Sequence, residues 1–175
     1  MSTLQALVLV CSLKKSPAPP SSERLGREVL AALTNHDVDG EVIRVADHDV
    51  RFGVSTDDDG DAWPHIRVKL LDAQILVIAT PIWMGQPASV CKVVLERLDA
   101  DLSGADEQGR LRTYDKVAVV GMVGNEAGRT TYKPDMHHDF AGALGEPDLL
   151  VAQLPFEHGD LVLQSEIPCP CPGHS

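Results

Sequence analysis

Three stretches of the chain are apolar without interruption, at 6–10, 75–79 and 117–120. Parallel strands that are buried on both faces have this pattern, whereas strands with one solvent-exposed face alternate between apolar and polar residues. A weaker apolar stretch lies at 41–45. The sequence therefore predicts four strands, three of which are buried on both faces.

The segments between these strands carry apolar residues at helical spacing. A helix is predicted to begin at Ser22, a good N-cap residue, and to end at 35–40. Further helices are predicted at 63–71 and at 88–98, the latter with Arg97 on its polar face. Strands and helices that alternate in this way predict an α/β fold, with a doubly wound parallel sheet in three layers. Ligands of such sheets bind beyond the carboxyl ends of the strands, where the strand order reverses.

Composition narrows the classes of function. The chain has 175 residues, of which 43% are hydrophobic, and this is enough for one domain with a single core. Fifteen Lys and Arg residues against 26 Asp and Glu residues give a net charge of −11. An acidic surface repels nucleic acid and anionic lipid, so we expect neither nucleic acid nor membrane as the main partner. The first residues lack the segments of a signal peptide, so we expect a cytoplasmic protein.

The residues that could bind a metal ion are scattered along the chain. Cysteines stand at 11, 91, 169 and 171 and form neither a CxxC pair nor a disulfide framework, so we expect no metal site. The acidic run at 57–61 lacks the spacing of a calcium loop, and we expect it to be solvated. Cys91 falls on the helix predicted at 88–98 and is expected to face the core.

The loop after the first strand, at 11–22, is rich in hydroxyl groups and precedes a helix. It offers Ser12, Ser16, Ser21 and Ser22, two lysines and the free N–H groups of the helix start. These are the groups that a phosphate monoester needs. The loop lacks the glycine patterns of dinucleotide-binding Rossmann loops and of P-loops. Phosphate binding and an ordinary surface loop are both open at this point.

The loops after two further strands can hold a flat ligand. The loop at 80–89 combines two prolines with Trp83 and Gly85, which provide a stiff backbone, a flat apolar face and a point of close approach. A core tryptophan in an ordinary loop is the alternative. The third loop contains Gly124 and Asn125, which tolerate positive φ, and a plain turn explains it nearly as well.

Four groups of residues carry a family pattern. They are Ser12-Leu-Lys-Lys-Ser with Ser21-Ser22-Glu23, Asp61-Ala-Trp-Pro-His-Ile-Arg, Thr80-Pro-Ile-Trp-Met-Gly-Gln-Pro with Val94-Leu-Glu-Arg-Leu-Asp, and Gly124-Asn-Glu. Together they resemble the flavodoxin-like NAD(P)H-dependent FMN reductase family. The resemblance covers about residues 4–127, and the segment that begins at Thr80 is its most specific part.

The resemblance implies a flavodoxin-like fold, FMN as cofactor, NADPH or NADH as co-substrate, and homodimers. A hydride is expected to pass to the flavin and electrons from there to a small-molecule electron acceptor, with no side chain named as catalytic. The residues that the resemblance assigns to the FMN phosphate are Ser12, Lys14, Ser21 and Ser22. The residues that it assigns to the flavin ring are Pro81, Ile82, Trp83, Met84, Gly85, Gly124 and Asn125.

Two other functions stay open. A flavodoxin-like electron carrier would take electrons from a protein partner and would need no hydride donor. A degenerate module of the same fold would have lost its cofactor and would act by binding alone. The fold by itself cannot choose among these functions.

The last part of the chain departs from the family pattern. Residues 1–128 are expected to form an FMN-binding core, and 129–175 a divergent, atypical segment of the same domain. The family pattern requires a helix and a fifth strand there. We expect a short remnant of the helix at 137–144 and the strand at 149–154, with 161–163 as a rival. Prolines interrupt this segment, so we expect it to be weakly folded.

Overall fold

The computed structural model describes residues 3–57, 59–124, 140, 142–143, 148–155 and 162–164. Its strands are β1 (Leu4–Val10), β2 (Val38–Arg44), β3 (Ile75–Trp83), β4 (Gln86–Pro87), β5 (Val117–Gly124), β6 (Asp148–Pro155) and β7 (Val162–Gln164). Its α-helices in these ranges are α1 (Ser21–Thr34), α2 (Trp63–Asp72) and α3 (Ser89–Asp99).

The strands form one sheet in the order β2-β1-β3-β5-β6-β7. The first five strands of this order are parallel, β7 is antiparallel to β6, and the short β4 pairs only with β3. The chain runs outward from β1 to β2 and then returns to β3 on the other side of β1. The order therefore reverses between β1 and β3, and the predicted doubly wound α/β fold is confirmed.

Alternate side chains of the central strands face opposite layers, because successive residues of a strand point to opposite faces. Val8, Val10 and Val77 pack with Leu25 and Val29 of α1 in one apolar cluster. The second cluster lies on the other face, and its members from α2, α3 and the strands include Leu7, Leu9, Trp63, Ile66, Leu70, Leu76, Ile78, Val94 and Leu98. Both faces of the sheet are therefore covered, which explains the uninterrupted apolar runs.

Helix α1 lies unusually close to the sheet. A Cβ atom on Gly26 would stand 2.7 Å from Cγ1 of Val8, and one on Gly121 would stand 2.9 Å from Cδ2 of Leu25. A Cβ at either glycine would force a side chain or α1 itself to shift. Because the contact fixes α1 against β1 and β5, it also fixes the N-terminus of α1 at the carboxyl edge of the sheet.

Two strands are longer than predicted at their carboxyl ends. The prediction ended β3 at residue 79 and β5 near residue 120, but the pairing continues through Thr80 with Met122 and Pro81 with Val123. Parts of the predicted second and third loops are therefore strand. The proline and glycine residues there indicate loops, but backbone hydrogen bonds between the two strands outweigh that local preference.

The carboxyl-terminal part contributes two strands to the sheet. The segments at 149–154 and 161–163 were predicted as rivals, yet β6 pairs with β5 and β7 pairs with β6. Phe140 and Ala143 are helical and belong to the cluster of α2 and α3. Most of the remaining residues of 129–175 lie outside the described ranges, and the predicted boundary at residue 128 stays a prediction.

One polar pair is buried where solvated residues were predicted. Arg97 donates a hydrogen bond to Asp61, and both side chains are fully buried. Asp61 also accepts a bond of 2.9 Å from the Trp63 backbone N–H, while the Arg97 guanidinium lies 6.0 Å from the centre of the Trp63 ring. The predictions of a polar face at Arg97 and of a solvated Asp61 are therefore wrong. Cys91 is buried, as predicted.

Among the helices in the described ranges, none has both the length and the apolar character that crossing a bilayer requires.

Candidate functional site

Three chain segments converge on one cavity at the carboxyl edge of the sheet. It has a volume of about 440 Å³, which falls in the range of roughly 300–1,000 Å³ of small-molecule sites. Its lining residues are Ser12, Leu13, Lys14, Pro20, Ser21, Ser22, Pro81, Ile82, Trp83, Val123 and Gly124. They come from the ends of β1, β3 and β5 and from the start of α1.

Eight of the eleven predicted site residues line this cavity. Met84 and Gly85 do not line it but form the adjoining turn, and Asn125 lies outside the described residues. The prediction missed Leu13, Pro20 and Val123. Their apolar side chains carry no chemical signal in the sequence, although each is adjacent to a predicted residue or helix start.

One end of the cavity is built around the first turn of α1. The N-cap residue is Pro20 rather than the predicted Ser22, and no side chain caps this helix end. The first N–H groups of a helix lack intrahelical partners, so they are available to an anion. Ser22 is buried in the first turn, and its hydroxyl has no hydrogen-bond partner in the described part of the chain. A buried hydroxyl without a partner is costly and marks a place where a ligand atom can bind.

The positive charge at this end comes from lysine rather than arginine. Lys14 is exposed beside the cavity, and no carboxylate pairs with it within the described ranges. Arg24, Arg27 and Arg44 lie on or next to α1, and each is paired with a glutamate of that helix. Lys14 is therefore the lining side chain whose charge is available to an anion.

The hydroxyl of Ser16 serves a different contact from the one predicted. It donates a hydrogen bond of 2.5 Å to Asp47, and the Ser16 backbone N–H donates a second, of 2.7 Å, to the same carboxylate. Ser16 does not line the cavity. Of the four serines predicted as donors in this loop, Ser12, Ser21 and Ser22 line it, and Ser16 holds the loop from outside.

The other end of the cavity is flanked by a β-hairpin. Strands β3 and β4 pair through Ile82 with Pro87 and Trp83 with Gln86. The two turn residues have positive φ, 52° at Met84 and 73° at Gly85, as a type I′ turn requires.

A buried threonine closes the base of this hairpin. The Thr80 hydroxyl accepts a hydrogen bond of 3.2 Å from the Ala88 N–H. The hairpin therefore holds Trp83 on the rim of the cavity with 53% of its surface exposed, and the alternative of a core tryptophan at this position is wrong.

The two ends of the cavity differ in chemistry. The end at α1 presents hydroxyls, N–H groups and one ammonium group, whereas the end at the hairpin presents Pro81, Ile82, Trp83 and Val123. A molecule that carries a phosphate on one side and a flat ring system on the other matches this division. The unpartnered hydroxyl of Ser22 and the half-exposed indole of Trp83 make the residues present a good fit to FMN.

Comparison with known proteins assigns the family. Residues 4–159 match the family described as NADPH-dependent FMN reductase. The chain belongs to this family. The match extends beyond the segments at 4–127 that carry the resemblance and includes β6. The match confirms the predicted family, a family of NADPH-dependent FMN reductases, and likeness to solved structures confirms the predicted flavodoxin-like fold.

Two curated proteins share part of their length with this chain. The 8-demethyl-8-aminoriboflavin-5'-phosphate synthase of Streptomyces davaonensis is 35% identical over an alignment of 137 positions, and the alignment covers 71% of this chain and 52% of that protein. The divalent metal cation transporter MntH of Mycobacterium bovis is 36% identical over an alignment of 130 positions, which covers 71% of this chain but 19% of the transporter. The chain thus spans about half and about a fifth of these two relatives.

Solved structures of FMN reductase-like proteins share the fold. RosB with bound 8-demethyl-8-formylriboflavin-5'-phosphate matches with a TM-score of 0.71 and 28% identity, over 90% of this chain and 68% of RosB. The NAD(P)H:quinone oxidoreductase of Methanothermobacter marburgensis matches with a TM-score of 0.64 and 15% identity, over 91% of this chain and 90% of that enzyme. The second match supports the fold alone.

Proposed function

We propose that this chain is an FMN-dependent oxidoreductase that accepts a hydride from NADPH or NADH and passes electrons to a small-molecule acceptor. The observation that supports it best is the single cavity whose polar end contains the unpartnered Ser22 hydroxyl and whose apolar end contains Trp83. When bound, FMN supplies the redox chemistry, because it can take up a hydride and release electrons.

The chain's own residues bind and orient in this proposal. Ser12, Ser21, Ser22 and Lys14 hold the phosphate, together with the N–H groups at the start of α1. Pro81, Ile82 and Trp83 flank the ring on one side, and Gly124 and Val123 on the other. Met84 and Gly85 contribute through the turn that holds Trp83, and Asn125 follows directly after Gly124 in the sequence.

Proton transfer by a side chain has no part in this proposal. Among the described residues that line the cavity, Lys14 alone carries a titratable side chain, and it lies at the phosphate end. The protein therefore contributes affinity, orientation and partial exclusion of water around the ring. Protons reach the acceptor from solvent, because the rim at Trp83 is half-exposed.

The purified protein tests the proposal through its visible spectrum. We expect the absorption bands of oxidised flavin, or their appearance as bound flavin after FMN is added and the excess removed. Anaerobic addition of NADPH or NADH should bleach these bands within seconds. A flavoprotein that neither nucleotide bleaches would be an electron carrier, and a chain that binds no FMN would be a degenerate module.

A second candidate is an enzyme that alters a flavin phosphate as its substrate. RosB binds a flavin phosphate derivative and shares 28% identity with this chain over 90% of it. The same cavity would then hold a substrate instead of a resident cofactor. Mass spectrometry of the flavin recovered after turnover separates the two: unchanged FMN supports the reductase, and a modified ring supports the second candidate.

A homodimer and a cytoplasmic location complete the proposal. Leu13, Trp83 and Met84 are exposed apolar side chains around the cavity mouth, and a second copy would cover them. Light scattering on a sizing column should give a dimer, and Met84→Glu should shift it toward the monomer. The free thiols of Cys11 and Cys91 are consistent with a reducing compartment.

A further inference from the structure

Two charged residues near the end of β2 hold the first loop from outside the cavity. Asp47 accepts hydrogen bonds from the N–H of Ser16, at 2.7 Å, and from the hydroxyl of Ser16, at 2.5 Å. Arg44 donates a bond of 3.0 Å to the carbonyl oxygen of Ala18 and a further bond to Glu23 on α1. Neither Asp47 nor Arg44 lines the cavity.

The loop depends on such contacts because it has no helix or strand of its own between residues 11 and 20. Ordering an irregular segment costs conformational entropy, so its shape must be held by specific bonds. Within the loop, the N–H of Lys14 donates a bond of 3.1 Å to the Ser12 hydroxyl. The contacts of Asp47 and Arg44 fix the middle of the loop, between Ser12 and the start of α1.

The charge of Arg44 is satisfied within the protein. Glu23 is hydrogen-bonded to both Arg44 and Arg27. Partial burial alone would raise the pKa of Glu23, but the two arginines outweigh this effect and keep its pKa below the ordinary value. Arg44 therefore acts on the loop through the Ala18 carbonyl, while Lys14 keeps a free charge for a ligand.

We propose that Asp47 and Arg44 are positioning residues that select the phosphorylated form of the flavin. They hold the first loop in the shape that presents Ser12, Lys14 and the N-terminus of α1 to a phosphate monoester. The inference rests on the proposed function of the cavity. It places part of the preference for FMN over riboflavin in residues that do not contact either molecule.

The test compares the dissociation constants of FMN and riboflavin, measured by flavin fluorescence, for the wild type and Asp47→Ala. We expect Asp47→Ala to weaken FMN binding about tenfold, in keeping with the loss of two bonds to a charged acceptor. Riboflavin binding should change less than about twofold, because riboflavin has no phosphate for the loop to hold. If Asp47 had a merely structural role, its loss would weaken the binding of FMN and of riboflavin equally.

Glu41→Gln is the matched control. Like Asp47→Ala, it removes one negative charge. Glu41 lies in β2 and pairs with the exposed Lys69, away from the loop. Its FMN and riboflavin affinities should both stay at the wild-type values. Ser16→Ala keeps Asp47 and removes one of its two bonds, so it should weaken FMN binding by a smaller factor, about threefold.

The double variant Asp47→Ala with Ser16→Ala should be no weaker in FMN binding than Asp47→Ala alone, because both changes break the same contact. Thermal melting of each variant shows whether it is folded, and Ser16→Ala carries the test if Asp47→Ala does not fold. An unchanged ratio of FMN to riboflavin affinity in Ser16→Ala and Asp47→Ala would overturn the positioning role. Failure of the wild type to bind either flavin would instead overturn the proposed function.

Discussion

Two arginine–carboxylate contacts lie on opposite faces of the sheet and differ in burial. Arg97 and Asp61 are fully buried between α2 and α3, whereas Arg44 and Glu23 beside α1 keep 11% and 16% of their side chains exposed. A buried pair is costly to break because the remaining charge has no water to solvate it. A partly exposed pair is screened and costs less to break.

We assign different roles to the two pairs: one stabilises the fold, and the other shapes the loop at the cavity. The buried pair joins the segment before α2 to the end of α3, and neither of its residues lines the cavity. The partly exposed pair of Arg44 and Glu23, together with Asp47, shapes the loop at the cavity. We therefore expect changes at Asp61 to reduce stability and changes near α1 to reduce flavin affinity, with little effect of either kind on the other property.

The largest effect is expected from Asp61→Ala. The substitution removes the Asp61 carboxylate from the fully buried Arg97 guanidinium, so the free energy of unfolding should fall by about 3–5 kcal/mol. Chemical denaturation measures this loss. Asp59→Ala, an exposed neighbour, should change stability by less than about 0.5 kcal/mol. If Asp61→Ala lowered the free energy of unfolding by less than about 1 kcal/mol, the proposed difference between the buried and the partly exposed pair would be wrong.

Trp83→Ala should have the next largest effect, and on affinity. The indole is the flat apolar wall of the ring end, and its loss should weaken FMN binding about tenfold in fluorescence titrations. Stability should barely change, because the side chain is 53% exposed. Tyr114→Ala removes another exposed aromatic ring away from the cavity and should leave the affinity unaltered. Equal affinities for FMN in Trp83→Ala and the wild type would contradict the role of this residue.

Ser22→Ala is expected to lower FMN affinity without lowering the free energy of unfolding. FMN affinity should fall about fivefold, because one hydrogen bond to the phosphate is lost. The free energy of unfolding without FMN should stay equal or rise by up to about 1 kcal/mol, because a buried hydroxyl without a partner is removed. Ser89→Ala, at the exposed start of α3, is the control. A loss of stability without any loss of affinity would show that Ser22 belongs to the core alone.

The smallest effect concerns pH. Hydrogen bonds from the Ser16 hydroxyl and N–H hold the pKa of Asp47 below its ordinary value. A lowered pKa means that the contribution of Asp47 is complete above the ordinary value, about 3.9, and is lost only as pH falls through the lower pKa of the folded state. The ratio of FMN affinities of the wild type and Asp47→Ala should therefore be constant from about pH 8 to pH 5.

Any fall of affinity near pH 6 should be shared by both proteins in this measurement, because a phosphate monoester loses its second charge at about that pH. A ratio that collapses between about pH 7 and pH 5 would contradict the lowered pKa of Asp47.

The sequence predicts the sheet well because each central strand is covered on both faces. Uninterrupted apolar runs locate β1, β3 and β5 to within a few residues at their amino ends. The strand ends were predicted less well. The extension of β3 through Pro81 depends on its partner β5, and local residue preference cannot reveal a partner.

The cavity residues were predictable for a geometric reason. Parallel strands end at one edge of the sheet, so segments after β1, β3 and β5 meet there, although they are far apart in the chain. The contacts that hold these segments were not predictable. Asp47 and Ser16 are 31 residues apart, and Asp61 and Arg97 are 36 apart, so no local pattern links them. Helical periodicity also assigns a charged residue such as Arg97 to the solvent side by default.

The tight contact at Gly26 and Gly121 has a consequence for the shape of the polar end of the cavity. Val8 of the sheet and Leu25 of α1 already touch the places where a Cβ would stand at these two positions, so α1 cannot move closer to the sheet. The polar end of the cavity therefore cannot close by an inward movement of α1. An alanine at position 26 would lift the helix and carry Ser21 and Ser22 away from the anion they are placed to meet.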